Sequence, residues 1–209
     1  MLSPVIVKEL ERRIFMNPQK KFNLRKQELF TQITDLINTE GYENITVRGL
    51  CQKLSISTGT FYHYFPQKGD LVYALFADID DYFLNEVTRN FTEDETSNLV
   101  SFCEHYGIYV IRNGVETCRC ISAAPLKNDS PNYLDEERGI FQILEQILSR
   151  GEIKKQFYLM QSPKETTRML MVLLRGYSAD WAKREGNYDL IESLLQFIFL
   201  FRISLCQEK

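Results

Sequence analysis

The sequence predicts an all-α protein of about nine helices, with a small N-terminal group of three ahead of a larger helical body. Three observations carry that expectation. Apolar residues recur at helical spacing through most of the chain, as at Leu29, Ile33, Leu36 and Ile37, which share one stripe of a 3.6-residue repeat. Strand-like alternation is scarce. Residues that start or stop helices stand at the ends of the periodic runs, among them Thr46, Ser57, Gly41 and Pro66.

Bulk properties narrow the class. Of 209 residues, 44% are hydrophobic and 25% charged, a balance that suits a globular chain with a core large enough to need no disulfides. The start, Met1-Leu2-Ser3-Pro4, lacks a basic segment and a long apolar run, so no export signal is read there. The longest apolar stretch, Phe197 to Phe201, is far too short to span a membrane. Five cysteines without framework spacing point to the reducing cytoplasm. Net charge is −3, unevenly spread. Residues 1–70 hold ten basic and seven acidic side chains; the remainder hold fifteen and twenty-one. A basic first third on an acidic body is expected if only that third meets phosphates, although the excess is modest.

The elements follow in order. A short helix is read at Val7–Phe15 and a long one from near Asn23 to Gly41, a good residue just past a helix end. Thr46 caps Val47–Leu54. Ser55-Ile56-Ser57 is a turn, with Ser57 capping Thr58–Phe65, which Pro66 ends. A long helix is expected from Lys68 to Phe91, where Leu71, Leu75, Ile79, Tyr82 and Phe83 keep the period. The polar run from Phe91 to Asn98 reads as a linker. Helices follow at Leu99–Arg112, Tyr133–Arg150 (stopped by Gly151), Pro163–Arg184 and Asp189–Cys206, with loops and short helical pieces over 113–131.

The segment 46–65 has the form of a helix-turn-helix, two short helices joined by a tight turn. Val47, Leu50, Cys51, Leu54, Ile56 and Phe61 fill its inner positions. Thr58, Thr60, Tyr62 and His63 are left outside. Gly59, without a side chain, permits close approach to a sugar-phosphate backbone, and the first-turn amides suit phosphate. The combination Thr46-Val47-Arg48, Ser57-x-Gly59-Thr60-Phe61-Tyr62-His63-Tyr64-Phe65 and Lys68-x-Asp70-Leu71, preceded by Leu29-Phe30 and Glu40-Gly41-Tyr42, resembles the DNA-binding domain of the tetracycline-repressor (TetR) family over about residues 23–75.

The resemblance implies roles. Thr46 and Arg48 would touch phosphates, Thr58, Gly59 and Thr60 would face base edges, Tyr62 and His63 would reach the groove wall, and Lys68 would clamp another phosphate. Each has a plainer alternative: Thr46 as a cap, Phe61 and Phe65 as core, Tyr64 packing on the body. His63 has no ligand partner at helical spacing, so no metal is expected. Gly49 stands where an acid would complete a capping box, Ser55 where the family places a turn glycine, and Thr58 where a lysine or other polar residue is frequent. Lys20, Lys21, Arg25 and Lys26 are candidates for a basic arm before the first helix. The implied organisation is an N-terminal extension (1–22), a helix-turn-helix domain (23–70) and a ligand-binding and dimerisation domain (71–209).

In the body, the last two helices are rich in apolar residues. The final one is apolar nearly all round from Leu194 onward, as a homodimer interface through about 163–206 requires. Phe102, Tyr106, Tyr109, Cys118, Phe141 and Trp181 are candidates for an effector pocket, with plain core as the alternative. Glu104 and Glu116 are candidates for attracting a cationic effector, with a solvated surface as the alternative. Cys118-Arg119-Cys120 allows a thiol of lowered pKa, with Cys103 and His105 near in sequence. The leading expectation is a dimeric repressor released from operator DNA by a small molecule, without a cofactor or catalytic site. The alternatives are thiol redox chemistry, as sensor or enzyme, at Cys118/Cys120 and a protein-binding module that no longer reads DNA.

Overall fold

The computed structural model describes residues 17–123 and 134–205. Among them are nine α-helices, two short 3-10 turns and no strand. The chain forms two compact units that divide between Lys68 and Gly69.

The N-terminal unit holds α1 (Pro18–Glu40), a 3-10 turn (Tyr42–Asn44), α2 (Val47–Lys53) and α3 (Thr58–Tyr64). Helix α1 begins five residues before the expected Asn23. Proline suits a first helical position, and Asn17 Oδ1 accepts the Gln19 N–H at 3.0 Å. The basic residues taken for an arm therefore lie inside this helix. Arg25 pairs with Glu28 at 2.9 Å, and the Lys26 ammonium stands over the Phe65 ring. The short helix read at Val7–Phe15 lies outside the described residues. Leu29, Ile33 and Ile37 of α1 are buried, as are Leu50, Cys51, Phe61 and Phe65.

Helix α2 ends in a Schellman motif. The Ile56 N–H donates to Cys51 O at 3.0 Å and the Ser55 N–H to Gln52 O at 3.3 Å. That motif puts Ser55, which stands where the family places a turn glycine, in the left-handed region at φ 54°, where a β-carbon is strained.

The C-terminal unit holds α4 (Asp70–Asn85), a 3-10 turn (Val87–Asn90), α5 (Glu95–Asn113), α6 (Val115–Ala123), α7 (Gly139–Ile153), α8 (Pro163–Lys183) and α9 (Leu190–Leu205). Helix α5 packs on α7 and α9, and α7 also packs on α4 and α8. Phe83, Phe102, Phe141, Leu144, Leu174 and Leu194 lie in one continuous core. No buried side-chain nitrogen or oxygen among the described residues lacks a hydrogen-bond partner.

Four boundaries in this unit differ from the sequence expectation, one being the start of α7 at Gly139 rather than at about Tyr133. The helix expected to run to Phe91 stops at Asn85, and the tighter turn after it brings Val87 into the core. Of the polar run 91–98, read as a linker, residues 95–98 already form the first turn of α5, and only residues 91–94 connect it to the preceding 3-10 turn. Asp94 caps the helix by accepting the Thr96 and Ser97 N–H groups. Glu95 is buried and accepts hydrogen bonds from Arg150 Nε (2.8 Å), Lys154 Nζ (3.0 Å) and Asn98 Nδ2 (2.9 Å). Burial raises its carboxyl pKa, but these three donors outweigh that and hold it below the ordinary value. Finally, Gly151 lies within α7. It leaves space for the Phe157 ring, which a β-carbon there would meet at 2.1 Å; the helix runs on to Ile153, and Lys155 just past its cap takes the left-handed φ of 58°.

Candidate nucleic-acid interface and body cavity

In the N-terminal unit two hydroxyl caps set the geometry. Thr46 Oγ1 accepts the Gly49 N–H at 3.0 Å and Ser57 Oγ accepts the Thr60 N–H at 3.0 Å. Thr46 is thus a cap, whatever else it meets, and the missing acid at Gly49 leaves a single-sided cap. Helix α3 buries Phe61 completely, with Phe65 packed against it at 5.5 Å between ring centroids. Thr58, Gly59, Tyr62 and His63 occupy the opposite, exposed face, and Arg48 and Thr46 are exposed at the start of α2.

Two of the expected contacts are engaged within the unit. Thr60 is half-buried and its hydroxyl shares a hydrogen bond with Ser57 Oγ at 2.9 Å. Lys68 lies two residues before α4. Its Nζ donates to Tyr42 O at 2.9 Å and stands 4.2 Å above the Tyr42 ring. Within the N-terminal unit Tyr64 stacks on Phe22 of α1 at 4.8 Å, and His63 meets the edge of the same ring at 5.2 Å. Phe22 is the residue that sequence reading missed here, because the first helix was started one residue after it.

The C-terminal unit encloses a cavity among α4, α5, α6, α7 and α8, with about 60 Å³ of room for the centre of a water-sized molecule. Three of the six expected residues line it: Tyr106, Tyr109 and Cys118. The other three do not. Phe102 is fully buried against Phe83 at 4.6 Å, and Phe141 is fully buried core. Trp181 locks the corner between α8 and α9, its Nε1–H donating to Tyr188 O at 3.1 Å.

Two residues the sequence reading passed over dominate the wall. The Arg138 guanidinium donates to both Asp80 oxygens (3.0 and 3.1 Å) and to Phe76 O. Arg175 donates to Ile121 O at 2.7 Å. Both cations stand over the Phe76 ring, at 4.8 and 5.9 Å. A signal for Arg175 existed: it shares a helix face with Met171 and Ser178, at spacings of four and three, and both line the cavity. Arg138 precedes its helix and has no such periodic mark. Glu104 and Glu116 are absent from the wall, and Glu116 pairs with Arg119.

The thiol reading fails on environment. Burial pushes the Cys118 thiol up to about 11, and its Sγ donates to Ser178 O at 3.2 Å. Cys120 and Cys103 are also buried, and burial raises the Cys103 pKa. Low-pKa redox thiols need exposure, and here burial outweighs the lowering that Arg175 exerts on Cys118. Among the described residues no three His, Cys, Asp or Glu side chains form a metal-ligand cluster. No helix there is long and apolar enough to cross a membrane.

Comparison with known proteins agrees with this geometry. Residues 29–75 match the family model described as bacterial regulatory proteins, tetR family. No curated protein matches the chain in sequence. Solved structures share the fold. The fatty acid degradation regulator FadR of Bacillus halodurans superposes with a TM-score of 0.65 at 17% identity, covering 82% of this chain and 96% of its own. FadR of Bacillus subtilis, solved in complex with stearoyl-CoA, gives 0.63 at 17% identity, with the same shares covered. A tetR-family transcriptional regulator of Pectobacterium atrosepticum gives 0.65 at 17% identity, covering 92% of this chain and all of its own.

Proposed function

We propose that this chain, which carries the tetR-family DNA-binding domain over residues 29–75, is a dimeric repressor that reads operator DNA with α3 and lets go when a small molecule fills the cavity of its body. One observation carries the reading: the division of α3 between a buried face and a polar exposed one. Phe61 is 0% exposed while its neighbour Tyr62 is 49% exposed, in a line with Thr58, Gly59 and His63. A helix held so firmly on one side presents the other as a rigid edge for the major groove. Lys68 is the weakest of the expected contacts, since it must leave Tyr42 before it can meet a phosphate.

The dimer rests on the outer faces of α8 and α9. Met169 (59% exposed), Val172 and Gly176 share one exposed stripe of α8, and Phe199 (61%) and Leu200 (66%) stand out from α9. Large apolar side chains grouped on two adjacent helices are the usual mark of a covered surface. A two-fold pair would also match a two-fold operator.

The experiment is fluorescence anisotropy of the purified protein on the DNA upstream of its own gene, with a random duplex of equal length as reference. Preferential binding is expected, with affinity falling steeply with salt. Arg48→Ala is expected to reduce the salt slope by about one. Equal affinity for both duplexes would overturn the operator reading. Sedimentation of the Phe199→Glu, Leu200→Glu double variant tests the dimer, the expected result being a folded monomer.

A further inference from the structure

The family match begins at residue 29, yet α1 begins at Pro18, so about three helical turns stand ahead of the matched segment. We infer that these turns belong to the DNA-reading surface: Phe22 is a positioning residue that braces the last turn of α3 through His63 and Tyr64, and it sets Lys21 beside them as a further contact for a DNA phosphate. This step rests on the proposed reading of DNA by α3.

Packing fixes the place of Phe22. Its ring stacks on Tyr64 at 4.8 Å between centroids and 30° between planes, and it meets His63 edge-on at 5.2 Å and 88°. His63 and Tyr64 also meet each other, at 5.1 Å. The three rings close a cluster that ties the second turn of α1 to the last turn of α3. Phe61 and Phe65 lie on the inner side of α3, and Gly59, Tyr62 and His63 on the outer side. A ring that touches both His63 and Tyr64 therefore lies at the flank between the two sides. An exposed side chain at a helix end otherwise samples several rotamers, and freezing them on binding costs affinity. Aromatic partners already in place remove part of that cost.

Charge gives the same turns a partner. Residues 18–28 hold four basic side chains, Lys20, Lys21, Arg25 and Lys26, against one acid, Glu28. Arg25 is paired with Glu28, and the Lys26 ammonium lies over the Phe65 ring. Lys20 and Lys21 are exposed, and among the described residues no carboxylate pairs with either. Lys21 borders the shallow groove between α1 and α3, together with Phe22 and Tyr64. Its backbone is held by the helix and by the neighbouring ring while its stem stays free. That suits a phosphate, whose recognition by lysine needs charge more than direction. In a helix-turn-helix docked in the major groove, the flank of the reading helix faces a wall of the groove, and that wall is phosphate. Lys21 therefore adds affinity and register without sequence preference.

The experiment is salt-dependent fluorescence anisotropy of the full-length protein on two duplexes of equal length, the DNA upstream of its own gene and a random sequence. Lys21→Gln, Phe22→Ala, Phe22→Tyr and the double variant Phe22→Ala, Lys21→Gln are compared with the wild type. Lys183→Gln, at an exposed position of the body, controls for the loss of any one charge. Thermal melts establish that each is folded. Lys21→Gln is expected to reduce the slope of log affinity against log salt by about one on both duplexes, while Lys183→Gln leaves it unchanged. Phe22→Ala is expected to weaken binding by about tenfold, and Phe22→Tyr to bind like the wild type. In the Phe22→Ala background Lys21→Gln is expected to have little left to remove, because the brace that places the lysine is gone. Three results overturn the inference: a Lys21→Gln slope equal to that of the wild type, a folded Phe22→Ala that binds like the wild type, or a Lys21→Gln effect of full size in the Phe22→Ala background. If Phe22→Ala fails to fold, Phe22→Leu, which keeps the apolar contact without the ring, takes its place in the cycle. The slope on the random duplex decides the inference even where the upstream DNA is not preferred, so it and the operator reading fail separately.

Discussion

The two units place their candidate functional surfaces in opposite settings. In the N-terminal unit the candidate surface is what the hydrophobic pattern leaves outside: Thr58, Gly59, Tyr62 and His63 opposite a buried Phe61. In the C-terminal unit it is a gap inside the pattern, walled by residues such as Tyr106, Cys118 and Met171 that resemble core in every respect save that nothing fills the space before them. An outer face can be altered at small cost to folding, whereas a cavity wall cannot, because its residues also hold the helices together.

That contrast can be broken by substitution, and the largest effect is expected at the division within α3. Phe61→Ala should destabilise the N-terminal unit by about 3–5 kcal/mol, whereas Tyr62→Ala should cost less than about 0.5 kcal/mol. Tyr62→Ala should nonetheless weaken operator binding by about 1–3 kcal/mol. Urea melts and anisotropy titrations of both variants check this, and equal destabilisation would remove the distinction between inner and outer faces.

In the body the expected order is reversed. Arg138→Ala should destabilise by about 3 kcal/mol, because it strands the Asp80 carboxylate in a largely buried setting. It should also disturb the ligand response, so the two effects cannot be separated there as they can at Tyr62. A variant that melts like the wild type would show that the wall is independent of the fold.

A smaller effect is expected at the turn of the N-terminal unit. Ser55→Gly should stabilise it by roughly 0.5–1 kcal/mol, since glycine accepts φ 54° without the strain a β-carbon meets. Lys155 and Glu185 (φ 58° and 59°) end helices of the body in the same region, and glycine at either should act alike.

The smallest effect is one of pH. The folded-state pKa of Glu95 is depressed, so its stabilisation is present above the unfolded value and fades as pH falls through the folded one. Glu95→Gln should therefore flatten the acid limb of the stability profile, in thermal melts taken from neutral pH downward. An unchanged acid limb would show that the Arg150 and Lys154 contacts contribute nothing across that range.

What sequence reading could and could not reach follows from the same physics. The helix-turn-helix was readable because its signals are local: hydroxyl caps three residues before the amides they serve, a period of 3.6, and a proline that ends α3. The start of α1 was misplaced although Asn17-Pro18 is as local a signal, because no periodic run of apolar residues begins there. Glu95 fell within the run read as a linker because its partners lie 55 and 59 residues away. Gly151 was read as a stop because the ring that occupies its space belongs to Phe157, beyond the helix end. The cavity was half found for the same reason. Helical spacing identifies which side of α5 or α8 faces inward, but not where the inward sides fail to touch.

The buried thiols have a further consequence. Cys51 is shut into the N-terminal unit, and Cys103, Cys118 and Cys120 into the body. A thiol reagent can reach each group only when its surroundings open, so the rate of labelling becomes a clock for local opening. Mass spectrometry of partly labelled protein would time the N-terminal and C-terminal units separately, in one sample. A ligand that settles in the cavity should slow the clock at Cys118, and operator DNA should slow the one at Cys51.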